Sequence, residues 1–326
     1  MKAVLIQQNG GPENLVLAEY PTPTPREGFV LVQVKAFGIN HAEIYMRKGD
    51  WGETTDIIGI ECVGVVVEDP SGEYRKGQKV ATMVGGMARS INGSYAEYIN
   101  IPRANVIAFR SELAWNELAA IPESYGTAWT LLNWSLDGKA GEVIVIHGGT
   151  STVGMAGVIL AKQMGMKVIA TTRCAKKEPL LKALGADDVI IDKGEISGQV
   201  AELHPEGVDK VLELVGNSSL ADSLAYIRPM GSIVLAGFLG GLGPIENFHP
   251  IFQLPSCIRL TALASAFVFG QKGFEYSKIP LQKIISDVEG GKIQNILRKT
   301  FSVEEIAEAH RVAESGEVNG KVVVEW

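Results

Sequence analysis

The fold is decided by Val143-Ile-Val-Ile-His147 and by the turn that follows it, Gly148-Gly-Thr-Ser-Thr-Val-Gly154. The first run is short, apolar and mostly β-branched, which predicts a strand buried on both faces, and the glycines and small hydroxyl residues predict a tight turn. From Val153 to Met164 apolar residues recur at offsets of three and four, which predicts a helix that packs back onto a sheet. This order is typical of a dinucleotide-binding unit, in which backbone N–H groups at the helix N-terminus bind a pyrophosphate.

The glycine pattern of this turn departs from the usual one. At the spacing where three glycines are usual, the chain has Gly148, Ser151 and Gly154. Serine is small enough for phosphate to approach the backbone, and its hydroxyl can donate a hydrogen bond. The alternative is a turn that only packs a helix closely on a strand. The predicted pyrophosphate-binding residues are Gly149, Thr150, Ser151, Thr152 and Val153.

Four further apolar runs favour the dinucleotide-binding interpretation. They are residues 167–172, 189–192, 208–215 and 232–237, and segments able to form helices separate them. Strands that alternate with helices at this spacing predict an α/β fold with a doubly wound parallel sheet. Its ligand is expected beyond the carboxyl ends of the strands.

Composition limits the possible classes of protein. A chain of 326 residues suits two domains, and 46% hydrophobic with 21% charged residues is ordinary for a soluble globular protein. The net charge of −7 argues against a nucleic-acid partner. Polar residues interrupt the uncharged segment 143–161, so we expect no membrane span and a cytoplasmic protein. Cys62, Cys174 and Cys257 are too few and too widely separated for a disulfide framework.

The two ends of the chain have a different pattern from the middle. Residues 1 to about 120 are predicted to be mostly β-strands, separated by Pro- and Gly-containing loops. A helical pattern over 117–132 leads into the parallel-sheet part. Near the C-terminus we expect helices over 280–289 and 303–314 and a last strand, Lys321–Glu325. These elements are too few to fold alone, so we expect them to return to the N-terminal domain.

Several stretches together resemble the medium-chain dehydrogenase/reductase superfamily, and within it the zinc-independent quinone oxidoreductases. The stretches are Gly38–Gly49, Ile58–Val66, Tyr125–Trp129, Gly148–Gly154, Leu184–Asp187 and Leu212–Gly216. The resemblance implies a GroES-like β domain of residues 1–122 and 266–326 and a Rossmann NADP-binding domain of residues 123–265. It also implies a homodimer through the edge of the Rossmann sheet. Phe267-Val-Phe269 is our candidate for that edge, with an ordinary core strand as the alternative.

The same resemblance implies a reaction without zinc. Zinc alcohol dehydrogenases of the superfamily have Gly-His-Glu where this chain has Gly59-Ile60-Glu61, and a Cys where it has Asn40. Their remaining zinc-binding cysteines are also missing here. A makeshift site of Asn40, His41 and Glu43 is conceivable, but an exposed loop histidine is the preferred interpretation. Without a Lewis acid, hydride addition suits a quinone or another α,β-unsaturated carbonyl, because such acceptors delocalise the negative charge.

Residue roles follow from the resemblance and from the second Rossmann strand. Asn40 would orient the nicotinamide ribose or the acceptor oxygen, and Tyr45 is our candidate hydrogen-bond donor. An NAD site has an acid after the second strand, whereas Thr171–Lys177 contains three bases and no acid, which indicates NADPH. The alternative is that the lysines begin a solvated helix. The predicted 2′-phosphate partners are Arg173 and Lys177, with Thr172 and Lys176. The predicted nicotinamide-half residues are Thr127, Val215, Gly237 and Phe238, and Phe267 is also predicted to bind the cofactor.

Asp192 stands where some relatives have a tyrosine that clamps the adenine end, which implies weaker binding of the cofactor phosphate. Two other functions are kept as alternatives to a small-molecule reductase. One is a zinc-type alcohol dehydrogenase with altered ligands. The other is an NADP-binding sensor without turnover, for which the unusual Ser151 is the only indication.

Overall fold

The computed structural model describes residues 1–326, apart from the side chains of Ala266 and Phe267. Contacts divide the chain into two compact units. We call residues 1–126 with 265–326 the split unit, and residues 127–264 the inserted unit. The domain boundaries expected from the sequence lie within four residues of these unit boundaries. The division into independently folding domains stays a prediction.

The elements follow one another in three groups along the chain. The first contains β1 (Lys2–Ile6), β2 (Leu15–Glu19), β3 (Phe29–Gly38), α1 (His41–Lys48), β4 (Glu61–Glu68), β5 (Lys79–Met83), β6 (Tyr98–Pro102), β7 (Ile107–Ala108), α2 (Trp115–Ala119) and α3 (Pro122–Thr130). The second contains β8 (Val143–His147), α4 (Thr152–Gln163), β9 (Lys167–Thr172), α5 (Glu178–Leu184), β10 (Asp188–Ile191), α6 (Ser197–Leu203), β11 (Val208–Glu213), α7 (Leu220–Ala225), β12 (Ile227–Leu235), α8 (Pro250–Gln253) and β13 (Arg259–Ala262). The third contains α9 (Ser265–Val268), α10 (Leu281–Glu289), β14 (Leu297–Ser302), α11 (Ile306–Ser315) and β15 (Lys321–Glu325).

The inserted unit is built on a parallel sheet with the strand order β10-β9-β8-β11-β12-β13. Every pairing in it is parallel, as the alternation of strands and helices predicted. Ile144, Val145 and Ile146 of β8 are fully buried, because helices on both faces cover the sheet. The doubly wound Rossmann-type fold is therefore confirmed, and the C-terminal ends of β8, β9 and β11 lie at one edge.

The split unit contains a mixed sheet with the order β14-β15-β3-β4-β5-β7, in which β6 also pairs with β3. The last strand, β15, pairs antiparallel with β3, with Val323 opposite Gly38. The C-terminal strand thus returns to the N-terminal sheet. This register brings the start of β15 beside the end of β3 and the start of α1, where the candidate catalytic residues lie.

The expected strand at Phe267–Phe269 is wrong. The chain forms the short helix α9 over Ser265–Val268, and the edge of the parallel sheet is β13, which pairs with β12. β13 has only a weak sequence signal, because Arg259-Leu-Thr-Ala262 is short and three of its four residues are exposed. The role predicted for Phe267 in cofactor binding concerns a side chain outside the described residues. Among the helices that the structure describes, none combines the length and apolarity needed to cross a membrane.

Candidate nucleotide-binding and catalytic residues

The turn after β8 has the features of a phosphate-binding site. Ser151 is the N-cap of α4: its Oγ accepts a hydrogen bond from Gly154 N at 3.0 Å and donates one to Gly148 O at 2.9 Å. The next residues, Thr152 and Val153, begin the helix, so their N–H groups have no carbonyl one turn earlier to bind. Thr150 to Val153 are partly exposed. This arrangement can bind an anion at the positive end of the helix dipole.

Glycine is required at each end of this turn. Gly148 has a φ of +91°, a conformation that other residues rarely adopt. A Cβ on Gly154 would lie 2.3 Å from Gly148 O, and one on Gly149 would lie 3.0 Å from the Cβ of Ala170. A side chain would therefore disturb the turn at all three positions. The residues present fit the pyrophosphate of a dinucleotide, and Ser151 takes the middle position as a cap.

The end of β9 places the predicted 2′-phosphate residues next to one another. Thr172 is buried and its Oγ1 accepts a hydrogen bond from Cys174 N at 3.2 Å, which fixes the start of the loop. Arg173 and Lys176 are exposed, and Lys177 is partly exposed. Three cations and no carboxylate thus lie from the end of the second strand to Lys177, which fits a phosphate better than a ribose hydroxyl.

His147, the last residue of β8, connects the ends of β10 and β11, an arrangement that sequence reasoning missed. Its Nδ1 lies 2.9 Å from Glu213 Oε2, and its Nε2 lies 3.1 Å from Asp192 Oδ2. Burial opposes the charged imidazole, but the hydrogen bonds and charges of both carboxylates raise the pKa of His147. Asp192, which was predicted to weaken phosphate binding, is therefore hydrogen-bonded to His147, and this contact stabilises the protonated form of the histidine.

Glu213 also shapes the loops expected to bind the nicotinamide half. Its Oε1 accepts hydrogen bonds from Val215 N at 2.8 Å and Gly216 N at 3.0 Å, and its Oε2 accepts one from Ser223 Oγ at 2.5 Å. A Cβ on Gly237 would lie 2.2 Å from Leu214 O, so the loop after β12 packs directly on the loop after β11. The structure thus brings Val215, Gly237 and the adjoining Phe238 together. Thr127 lies on α3 and is buried.

In the split unit, Asn40 belongs to a buried network of charged groups. It is the N-cap of α1 and partly exposed, whereas Glu43, Glu61 and Lys321 are fully buried. Lys321 Nζ lies 2.5 Å from Glu61 Oε1 and donates to Asn40 Oδ1 at 2.5 Å. Asn40 Nδ2 donates to Glu61 Oε1 at 3.0 Å and, more weakly, towards Glu43 Oε1 at 3.4 Å.

Backbone groups hold the two carboxylates of this network in place. Glu43 accepts hydrogen bonds from Asn40 N and Ile60 N, both at 2.9 Å, and Glu61 Oε2 accepts one from Glu123 N at 2.9 Å. Burial raises the pKa of Glu43 to about 7, against the lowering effect of its hydrogen bond to Ile60 and of Lys321. For Lys321 burial favours the neutral amine, but the charges of Glu61 and Glu123 outweigh it and raise its pKa. The network therefore contains a stable ammonium ion.

The other residues proposed near Asn40 have separate surroundings. Tyr45 lies five residues later on α1, partly exposed, with its ring stacked 6.3 Å from that of Trp51. His41 is exposed, whereas Glu43 points into the protein. Within the described residues there is no group of three or more His, Cys, Asp or Glu side chains that could hold a metal ion.

Sequence reasoning named Asn40 as a candidate but missed Lys321, whose ammonium donates a hydrogen bond to it. The only signal was a lysine at the start of the apolar run Val322-Val-Val324. Such a lysine usually lies in solvent at the end of a strand. Its burial depends on the pairing of β15 with β3, which links positions almost three hundred residues apart and cannot be seen in local patterns.

Comparisons with known proteins agree with this architecture. The model of the alcohol dehydrogenase GroES-like domain matches residues 26–111, and that of the zinc-binding dehydrogenases matches residues 152–269. The quinone oxidoreductases of Lama guanicoe and Homo sapiens are each 28% identical to this chain, over 99% of it and 97% of their own length.

Solved structures show the same likeness over the whole chain. A mycobacterial protein complexed with NADPH has a TM-score of 0.87 and 26% identity, with all of both chains covered. The quinone oxidoreductase of Coxiella burnetii has a TM-score of 0.82 and 27% identity, over 100% of this chain and 99% of its own. The chain belongs to the quinone oxidoreductase family of the medium-chain dehydrogenase/reductase superfamily.

Proposed function

We propose that the protein is an NADPH-dependent reductase that transfers a hydride to a quinone or another α,β-unsaturated carbonyl compound without zinc. The observation that carries this proposal is the ammonium of Lys321, 2.5 Å from both Asn40 Oδ1 and Glu61 Oε1. It occupies the oxygens that a metal ion would need, and a dication beside it would be repelled. The third position, Ile60, has no donor atom in its side chain. The alternative of a zinc-type alcohol dehydrogenase with altered ligands is therefore disfavoured by the donor set itself.

The charge that accompanies a hydride decides the class of acceptor. Reduction of a simple ketone places a full negative charge on one oxygen, which usually requires a metal or a well-placed acid. A quinone or enone spreads the charge over a conjugated system, so that hydrogen bonds suffice to stabilise it. When bound, NADPH supplies the hydride. The hydride's electron pair would form the new C–H bond, the π electrons of the conjugated system would shift to the acceptor oxygen, and that oxygen would take up a proton from solvent.

Each group of residues would have a separate role in binding and catalysis. The N–H groups of Thr152 and Val153 bind the pyrophosphate, and Arg173 and Lys177, with Thr172 and Lys176, bind the 2′-phosphate. Asn40 orients the nicotinamide ribose or the acceptor oxygen, and Tyr45 donates a hydrogen bond nearby. The mycobacterial relative that was solved with NADPH supports the choice of this cofactor.

We also propose that two copies associate through the edge of the parallel sheet. β13 pairs with β12 on one side, and Arg259, Thr261 and Ala262 are exposed. An exposed strand edge can pair with a second copy of itself across a two-fold axis. Light scattering after size-exclusion chromatography would give the mass of a dimer. A cytoplasmic location remains a prediction from composition.

The function is tested by following NADPH oxidation with quinones, alkenals, aldehydes and a saturated ketone, with and without a chelator. We expect turnover of the conjugated acceptors that the chelator leaves unchanged, and little reduction of the saturated ketone. Zinc at one equivalent per chain together with efficient reduction of simple ketones would contradict the proposal. Tight binding of NADPH without oxidation by any acceptor would favour the sensor instead.

A further inference from the structure

Asn40 is the only partly exposed member of the network that it forms with Glu43, Glu61 and Lys321. Its amide has two different ends, an acceptor oxygen and a donor nitrogen, and each has a defined partner. The oxygen accepts from the Lys321 ammonium, and the nitrogen donates to the Glu61 carboxylate. The positive ammonium thus contacts the amide oxygen of Asn40, and the negative carboxylate contacts its amide nitrogen.

The ammonium makes the reversed amide orientation unfavourable. If the Asn40 side chain rotated by half a turn, its NH2 group would face the Lys321 ammonium, which has donors only, and its oxygen would face the carboxylates. Neither contact is a hydrogen bond, and both groups are buried where the electrostatic cost is large. Lys321 therefore decides which end of the amide is available to a ligand.

We propose that Lys321 is a positioning residue for the reaction: it fixes Asn40 so that the amide presents an N–H donor to a bound ligand, and it strengthens that donor. The donor is the second N–H of Nδ2, which is held only weakly, at 3.4 Å from Glu43 Oε1. The inference rests on the role proposed for Asn40 above. Lys321 itself is fully buried and acts through the amide without touching the ligand.

The strengthening has a physical cause. An ammonium on the oxygen of an amide withdraws electrons from its nitrogen, so the N–H bonds become more polar and donate more strongly. In a buried network little water screens this effect. The ligand oxygen, either a ribose hydroxyl or the acceptor carbonyl, would then contact an amide that transmits part of the Lys321 charge.

A double substitution isolates this effect from a loss of folding. Lys321→Met alone would leave Glu61 as an unpaired buried charge, so we combine it with Glu61→Gln, which keeps the volume and an acceptor for Glu123 N. The matched control is Lys210→Met with Glu142→Gln. Lys210 is a second buried lysine at the start of a strand, 3.5 Å from Glu142, but it lies at the opposite end of the parallel sheet from the phosphate-binding turn. Thermal unfolding checks that both double variants fold.

The test is a cycle in which each double variant is made with and without Asn40→Ala. Two quantities are measured: the dissociation constant of NADPH by fluorescence, and the single-turnover rate of its oxidation by a quinone. In the presence of Asn40, we expect Lys321→Met/Glu61→Gln to raise the dissociation constant of NADPH or to lower the single-turnover rate about tenfold. In the Asn40→Ala protein, the same double substitution should change each quantity by less than about twofold. The Lys210 control should change neither.

Equal effects with and without Asn40 would overturn the proposal, because a purely structural role does not depend on that amide. So would wild-type values for both quantities in the folded double variant. If the wild-type protein binds NADPH but reduces no acceptor, the proposed function fails. The dissociation constants of NADPH measured in the cycle then still test the role of Lys321.

Discussion

Lys321 and Glu61 form an ion pair that solvent does not reach: Nζ and Oε1 are 2.5 Å apart and both side chains are 0% exposed. Such a pair stabilises a fold only when each charge also has hydrogen bonds to neutral groups. Here Asn40 and the backbone N–H of Glu123 supply them. The pair also joins the last strand of the chain to β4, so that any change in its geometry affects both the sheet and Asn40.

Gly38 provides the space for this pair, and we predict that Gly38→Ala destabilises the protein by about 1–3 kcal/mol. A Cβ there would lie 2.3 Å from Lys321 Cε and 2.4 Å from Glu61 Oε1. Both side chains are buried and paired with each other, so either must shift within the ion pair to make space. Urea unfolding measures the change. Gly198→Ala is the control, because no atom lies within 4 Å of its Cβ position and the helix favours alanine. Equal free energies of unfolding for the two variants would show that Lys321 and Glu61 can shift to accommodate the methyl group without loss of stability.

The parallel sheet could be predicted because its signal is local. Each buried strand is a short apolar run, and the turn after β8 has the pattern that predicts a phosphate-binding site. The missed elements have no such signal. α1 follows directly on β3 and carries polar residues on several faces, β7 has only two residues, and the edge strand β13 is largely exposed. Their positions are set by packing between distant segments.

Arg173→Ala should raise the Michaelis constant for NADPH about tenfold or more and change that for NADH little. A charged hydrogen bond to the 2′-phosphate contributes about 1.5–3 kcal/mol, and NADH has no such phosphate. Steady-state kinetics with both cofactors measures the two constants. The matched control is Lys167→Ala, which removes a cation from the exposed opposite end of the same strand. Equal changes for both cofactors would mean that the 2′-phosphate binds elsewhere.

Ser151→Ala should raise the Michaelis constants for NADPH and NADH by a similar factor. Its hydroxyl holds Gly154 N and Gly148 O, so its loss loosens the turn that binds the pyrophosphate common to both cofactors. The lost N-cap should also cost about 1 kcal/mol of stability. Ser302→Ala, at the capping box before α11, should cost a comparable amount and leave both constants unchanged. An effect on NADPH alone would contradict this assignment.

The site divides in the same way into a predictable and an unpredictable part. The proposed phosphate-binding residues lie in two local segments, the turn after β8 and the loop after β9, so Gly149 to Val153 and Arg173 could be named from the sequence as candidates. The network around Asn40 and the His147–Glu213 pair join side chains that are 281 and 66 residues apart. Their chemistry is ordinary, but only the register of the strands shows that they meet.

His310 should make the protein less stable as the pH falls. Burial, and then the charge of Arg47, lower the pKa of His310 to about 3 from 6.5, and the ring stays neutral beside the Tyr95 hydroxyl, 2.8 Å from Nε2. Between these pH values the unfolded chain binds a proton that the folded chain does not. Stability present above pH 6.5 is therefore lost on acidification, by about 2 kcal/mol at pH 5.

The variant Tyr95→Phe/His310→Phe tests this pH dependence, because it removes the titrating ring and its polar partner together while keeping two aromatic rings. The free energy of unfolding in urea, measured from pH 8 to pH 5, should fall less steeply for the variant than for the wild-type protein, and the gap between them should change by about 2 kcal/mol. Replacement of the exposed His249 by Asn should leave the slope unchanged. Parallel curves for the wild-type protein and the double variant would mean that His310 takes up its proton in the folded state, with Arg47 or the Tyr95 hydroxyl moving to accommodate the charge.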